Sequence, residues 1–198
     1  MENVERWGVP QRRGRVLDFG CGVGRLTQAL GDHFERATGV DISPTMLELA
    51  RKYNRHGERC EFVWNAEPKL RMFPDCSFDM IYSRITLQHI MPRHVRKYLV
   101  EFLRLLAPEG LLLFQLPGRA ICPYPGLVGK MRFRLERIRQ LAQSPPLMYM
   151  NGIDCPRVVT LLEKHGGRVI EIESDRHAGP RWESYRYAVT RPMSPKRH

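Results

Sequence analysis

The sequence predicts an α/β fold in which a mostly parallel sheet carries helices on both faces. Three observations predict it. Short apolar strands alternate with helical segments along nearly the whole chain. The first strand, Val16-Leu17-Asp18-Phe19, runs into Gly20-Cys21-Gly22-Val23-Gly24, a glycine loop that opens a helix. A second strand, Gly39-Val40-Asp41, ends on a carboxylate placed where a ribose could be gripped.

Arg15 to Phe19 forms the first strand and Leu26 to Phe34 the first helix. Ala37 to Asp41 is the second strand. Ser43-Pro44 starts the next helix, with serine as cap and proline in the first turn, and the helix continues to about His56. Glu61 to Trp64 is a third short strand, and Phe78 to Ser83 a fourth that reads as buried. Pro92 begins a long helix to about Leu106, with Val95, Leu99, Phe102, Leu103 and Leu106 on one face. Pro108-Glu109-Gly110 breaks it, and Leu111 to Leu116 has the leucine and phenylalanine run of a central strand. After an insert, the pattern resumes with a helix from Pro156 to His165, a strand from Arg168 to Glu173 and a last strand from about Glu183 to Thr190.

The insert, about residues 117–150, holds a basic helix flanked by prolines. Leu127, Val128, Met131, Leu135, Ile138 and Leu141 return at helical spacing, interleaved with Lys130, Arg132, Arg134, Arg137 and Arg139. The expectation is a lid-like element within one domain spanning residues 1–198, with Met131, Leu135 and Ile138 packed on the body.

The glycine loop has a readable chemistry. Gly20, Gly22 and Gly24 let the backbone turn tightly and approach a ligand with no Cβ in the way, and the helix that follows points free N–H groups at it. A dinucleotide fingerprint would want its third glycine where Arg25 stands, and it would not place Asp18 beside a pyrophosphate. A cofactor carrying an ammonium and a sulfonium would be attracted to that carboxylate.

With Gly39-Val40-Asp41-Ile42-Ser43-Pro44-Thr45-Met46, Asn65-Ala66-Glu67 and Ser77-Phe78-Asp79-Met80-Ile81-Tyr82-Ser83 added, the chain resembles the class I S-adenosylmethionine-dependent methyltransferases of the small Rossmann-like type. The resemblance runs unbroken from about Arg15 to Pro117 and more loosely to Arg191. It implies a three-layer α/β/α sandwich around a seven-stranded sheet, with an antiparallel last strand inserted between the fifth and sixth. It implies S-adenosyl-L-methionine as cofactor, held by Asp18, Gly20, Cys21, Gly22, Gly24, Asp41, Ile42, Met46, Asn65, Ala66, Glu67 and Ser83. Asn65 departs from the aspartate more usual in the family, although an amide carbonyl can still accept from an exocyclic amine. The resembled enzymes carry one or two helices ahead of the first strand that cover the cofactor. Here either a turn around Trp7 covers it, or the site is open and relies on a partner.

The tip of the fourth strand, Tyr82-Ser83-Arg84-Ile85, lacks the Asp/Asn-Pro-Pro-aromatic run of base methyltransferases, so a small-molecule acceptor is favoured over nucleic acid. No carboxylate cluster marks a metal site. His89 reads either as a general base or as a residue that fixes the loop after this strand. His177 is a second candidate base, and Tyr124, Tyr149, Trp182 and Glu183 lie in segments expected to overhang the methyl group and touch substrate.

Composition is that of a globular chain. Its 198 residues fit one domain, no run is long and apolar enough for a membrane span, and the N-terminus lacks the apolar centre of a signal peptide, so a cytoplasmic location is expected. Five cysteines with no CxxC spacing argue against a disulfide framework or zinc site. The net charge of +11 is concentrated in the C-terminal half. The expectation is therefore methyl transfer to an oxygen or nitrogen of a small acceptor. Two alternatives stand beside it: a macromolecular methyltransferase that docks RNA or protein on the basic helix, and a catalytically idle cofactor-binding interaction domain. Oligomeric state is not legible.

Overall fold

The computed structural model describes residues 7–122, 126–143 and 150–193. Seven strands form one sheet: β1 (Arg15–Phe19), β2 (Arg36–Asp41), β3 (Cys60–Trp64), β4 (Phe78–Ser83), β5 (Leu106–Ala120), β6 (Arg168–Ser174) and β7 (Trp182–Thr190). Among the described residues five α-helices accompany them: α1 (Arg25–Gly31), α2 (Pro44–Lys52), α3 (Pro92–Leu105), α4 (Gly126–Gln143) and α5 (Cys155–Lys164). The spatial order is β3-β2-β1-β4-β5-β7-β6, and β7 runs antiparallel to both its neighbours while the other pairs are parallel. The three-layer architecture and the inserted antiparallel strand agree with the sequence expectation. Among the described residues no helix is long and apolar enough to cross a membrane.

Alternation along each strand sends side chains into two cores. On one face Leu17, Phe19, Ile81, Leu112, Phe114, Tyr187 and Val189 meet Val95, Leu99, Phe102 and Leu103 of α3 and Val158 and Leu162 of α5. On the other, Val16, Ala37, Met80, Leu111, Leu113 and Ala188 meet Leu30 of α1 and Leu47 and Ala50 of α2. A side chain of this kind contributes roughly 1.5–3 kcal/mol when fully buried, which is what holds the strand tips in fixed register.

Local chemistry explains where the boundaries depart from expectation. Ser43 caps α2 as expected, its Oγ accepting the Met46 N–H at 3.4 Å with Pro44 in the first turn. The helix stops at Lys52 instead of His56 because Asn54 closes a turn: its Nδ2 donates to the carbonyls of Gly57 and Cys60, and its Oδ1 accepts the His56 N–H. Strand β5 begins at Leu106, five residues earlier than expected. Pro108-Glu109-Gly110 is absorbed as a bulge, for Phe78 pairs with Leu106 and Met80 with Leu111. Glu109 takes a positive φ of 59° and its N–H donates to the Arg191 carbonyl at 2.8 Å. The breaker residues therefore bend a strand and do not precede one.

One alternative is set aside and one expectation is corrected. Trp7 does not cover the carboxyl tips of β1 and β2: its indole N–H donates to Glu171 on β6, the far edge strand, at 2.8 Å. The basic helix of the insert forms as α4, yet its apolar stripe is not packed on the body: Leu127, Val128, Met131, Leu135 and Ile138 are between 56% and 83% exposed. Helical spacing specifies a stripe but not what covers it.

Candidate active site

The carboxyl tips of β1, β2 and β3 are brought together by parallel pairing, Asp18 opposite Gly39 and Asp41 opposite Trp64. Between them and the loop after β4 lies a cleft of about 460 Å³. Gly20, Asp41, Ile42, Asn65, Ala66 and His89, all expected from the sequence, line it.

The glycine loop is shaped by positive φ at Gly20 (79°), Gly22 (53°) and Gly24 (76°). Two of these glycines are also required sterically. A Cβ on Gly20 would stand 2.1 Å from the Thr86 side chain, and one on Gly24 would stand 2.6 Å from the Phe62 ring. Gly22 is different: among the described residues nothing lies within 4 Å of where its Cβ would be, which leaves that side of the loop open to a ligand.

Asp41 holds this loop. Its Oδ2 accepts the Gly22 N–H at 2.8 Å and its Oδ1 accepts the Ser43 N–H at 2.9 Å. Each oxygen retains a lone pair, enough to accept from a diol. Asn65 is 6% exposed, and its Nδ2 donates to the Glu67 carbonyl at 2.7 Å, which the Tyr98 hydroxyl also uses at 2.8 Å. Glu67 thus enters through its backbone; its side chain is exposed and outside the cleft lining.

Asp18 lies behind the loop at 2% exposure, its Oδ2 accepting from the Thr27 hydroxyl at 2.7 Å. Burial raises its carboxyl pKa to about 6 against the pull of that hydrogen bond, with a smaller upward push from Asp41. Burial likewise pushes the Cys21 thiol up, with Asp18 and Asp41 adding to it. Asp18, Cys21, Gly22 and Gly24 stand outside the lining of the cleft, which the glycine loop reaches at Gly20.

Other expected residues stand elsewhere. Ser83 is 1% exposed and donates from Oγ to the Phe19 carbonyl at 3.1 Å, a tie between β1 and β4 away from the cleft lining. Met46 is 43% exposed on α2, also outside the lining. His177 sits in a separate small recess with Tyr82, Arg84 and Arg186. Its Nδ1 is 2.7 Å from Asp175 Oδ2, and its Nε2 meets the Arg84 guanidinium. Trp182 and Glu183 line a third groove beyond the β5–β7 end. Tyr124 and Tyr149 lie outside the described residues.

The sequence reading missed Phe19, Val40, Pro68, Ile85, Thr86, Ile90, His94 and Tyr98, which complete the cleft wall. His94 and Tyr98 sit one helical turn apart on the inward face of α3, a polar interruption of an otherwise apolar stripe that could have marked them. Ile85 carried no such signal. It adopts φ 59°, unusual for a β-branched residue, and its N–H donates to Gln115 Oε1 at 3.2 Å. Gln115 is itself buried at 2% and donates from Nε2 to Ser184 Oγ at 2.7 Å and Gln88 Oε1 at 3.3 Å. This polar cluster sets the loop that carries Thr86 and His89 across the mouth of the cleft.

Residues 16–110 match the family model described as a methyltransferase domain. The demethylmenaquinone methyltransferase of Tropheryma whipplei is 34% identical over 137 residues, covering 68% of this chain and 55% of that protein. The trans-aconitate 2-methyltransferase of Streptomyces avermitilis is 35% identical over 120 residues, covering 58% of this chain and 43% of that protein. The chain thus spans about half the length of these relatives. The solved structure of a SAM-dependent methyltransferase from Methanosarcina mazei matches with a TM-score of 0.72, over 98% of this chain and 99% of that one. At 18% identity, that likeness concerns the fold alone.

Proposed function

The chain belongs to the class I S-adenosylmethionine-dependent methyltransferases, and from that premise we propose that it transfers a methyl group to an oxygen or nitrogen of a small-molecule acceptor. The observation that carries the proposal is one cleft lined by Gly20 of the glycine loop, Asp41, Asn65 and Ala66, with Asp41 tied to that loop at Gly22. Both relatives above are named for small-molecule acceptors, which supports the acceptor class.

The donor set fits the cofactor. Asp41 would accept from the ribose hydroxyls, Asn65 and Ala66 would face the adenine edge, and Phe19, Ile42, Ile85 and Ile90 would give it apolar walls. Asp18 and the glycine loop would hold the charged aminoacyl end, with Gly22 leaving the backbone accessible. When bound, S-adenosylmethionine supplies an electrophilic methyl group on a sulfonium. The residues of the cleft would orient the acceptor's lone pair toward it, an ordering that by itself lowers a barrier by several kcal/mol, roughly 7–11 in the best-aligned cases. His89 reaches the cleft wall and would take the acceptor's proton where the acceptor is a hydroxyl or protonated amine.

Calorimetric titration with S-adenosylhomocysteine tests the cofactor site, and radiolabel transfer from S-adenosylmethionine to pooled metabolites, RNA and protein tests the acceptor class. Label in the metabolite pool is expected. Label in RNA or protein alone replaces the small-molecule reading, and cofactor binding with no transfer to any pool leaves an idle binding domain.

A further inference from the structure

Helix α4 presents an apolar stripe to solvent. At 3.6 residues per turn Leu127, Val128, Met131, Leu135 and Ile138 fall within an arc of about 100°. All five are more than half exposed. Arg132 and Arg139 follow one border of this arc and Arg134 the other. Glu136 lies on the far side, with its carboxylate 3.2 Å from the Arg132 guanidinium. Phe133, also opposite the stripe, is half-buried. An uncovered aliphatic stripe bordered on both sides by arginines matches the boundary between lipid headgroups and acyl chains, where apolar side chains insert and long cationic ones reach back to phosphate.

We infer that α4 is an interfacial helix that docks this chain on an anionic lipid surface, lying in the plane of the bilayer. Charge complementarity selects that occupant. A second copy of the chain would set one row of arginines against another, with a net charge of +11 on each molecule. RNA would satisfy the arginines and leave five aliphatic side chains in water, and the stripe contains no aromatic ring on which a base could stack. An anionic bilayer satisfies both parts of the surface at once. The helix follows β5, whose parallel pairing with β4 carries it out at the same rim of the sheet as the cofactor cleft. Docking therefore brings that rim toward the membrane.

The test uses the whole chain and two kinds of vesicle, equal parts phosphatidylglycerol and phosphatidylcholine or phosphatidylcholine alone, at about 0.1 M salt, where charges interact over roughly 10 Å. Cosedimentation is expected with the anionic vesicles, at an affinity at least about tenfold above that for the neutral ones, since each basic residue near such a surface is worth about fivefold. A Leu135→Trp variant reports on the helix directly, and its emission should shift to the blue on adding anionic vesicles. Met131→Asp with Leu135→Asp, and separately Arg134→Glu with Arg139→Glu, should each weaken vesicle binding by about tenfold or more. Both variants should keep native circular dichroism and the same dissociation constant for S-adenosylhomocysteine. Failure of the parent protein to bind anionic vesicles overturns the inference. So does vesicle binding unchanged in both double variants, salt-sensitive binding to polyuridylate without vesicle binding, or a dimer in sedimentation that Met131→Asp with Leu135→Asp dissolves. None of these outcomes touches the proposed methyl transfer, which is read in a separate assay.

Discussion

The Asp41 carboxylate ties the end of β2 to the glycine loop, accepting the Gly22 N–H at 2.8 Å through Oδ2 while Oδ1 takes the Ser43 N–H at 2.9 Å. One side chain thereby shapes the loop, holds the turn into α2 at the Ser43 N–H and lines the cleft. Removing it should be felt in binding and in stability together.

Asp41→Ala is expected to weaken S-adenosylhomocysteine binding by about 1.5–3 kcal/mol, the usual loss for a charged acceptor. It should also lower folding stability by about 1–3 kcal/mol, because two amides lose their partner. Titration calorimetry well below the unfolding transition measures the first effect, and urea denaturation the second. An unchanged dissociation constant would remove Asp41 from the ribose site.

Asp18 makes stability depend on pH in an unusual direction. Burial raises its pKa from the ordinary 3.8 to about 6, so the folded chain retains a proton that the unfolded chain has released. This contribution to stability is fully present below about pH 4, falls as pH rises from about 4 to 6, and is gone above, a change of about 2–3 kcal/mol. Asp18→Asn keeps an acceptor for the Thr27 hydroxyl and removes the titration. The variant should match the parent at pH 4 and exceed it by about that amount at pH 8, while binding the cationic cofactor more weakly. Urea denaturation at the two pH values decides it, and a parent more stable than the variant at pH 8 contradicts the assignment.

Gly20→Ala should abolish cofactor binding. The new methyl would lie 2.1 Å from Thr86 at a φ of 79°, so the glycine loop and the loop after β4 must move apart. The strained backbone alone costs about 1–3 kcal/mol. Gly22→Ala meets no neighbour among the described residues and carries the conformational penalty alone, so its stability loss should be the smaller of the two. Thermal melts of both variants make the comparison.

Gln115→Leu removes the acceptor of the Ile85 N–H and the donor to Ser184 and Gln88. A stability loss of about 1–3 kcal/mol is expected for buried polar groups left unpaired. Ile85 would then be free to leave its positive φ, and cofactor affinity should fall although Gln115 does not line the cleft. Wild-type affinity in this variant would show that the Gln88–Gln115–Ser184 cluster serves folding only.

Much of the fold and part of the site were legible because the signals are local. Glycines at two-residue spacing after an apolar strand, a Ser-Pro helix start, and carboxylates at two strand ends each act through the backbone of their own segment. Those signals gave the alternating elements, Gly20 and Asp41; the antiparallel place of β7 and the roles of Ile42, Asn65 and Ala66 came from the family resemblance that the motifs carry, and the structure sets Gly20, Asp41, Ile42, Asn65, Ala66 and His89 in one cleft. The role of Glu67 was not legible in this way, since its carbonyl, and not its carboxylate, is what Asn65 and Tyr98 use.

What the sequence by itself determined is the set of elements and their handed assembly into a parallel sheet with a ligand loop at its carboxyl rim, since periodicity and turn chemistry require no distant partner. Only the tertiary structure decided which residues meet across long separations. Ser83 turned to the β1 carbonyl of Phe19, sixty-four residues away. Trp7 went to Glu171, at the other end of the chain, and His177 to a recess apart from the cleft. The positive φ of Ile85 depends on a glutamine thirty residues on. The stripe of α4 was written in the spacing of its leucines, but its exposure was not, because burial belongs to the surface a helix finds and a helical repeat specifies only the face it offers.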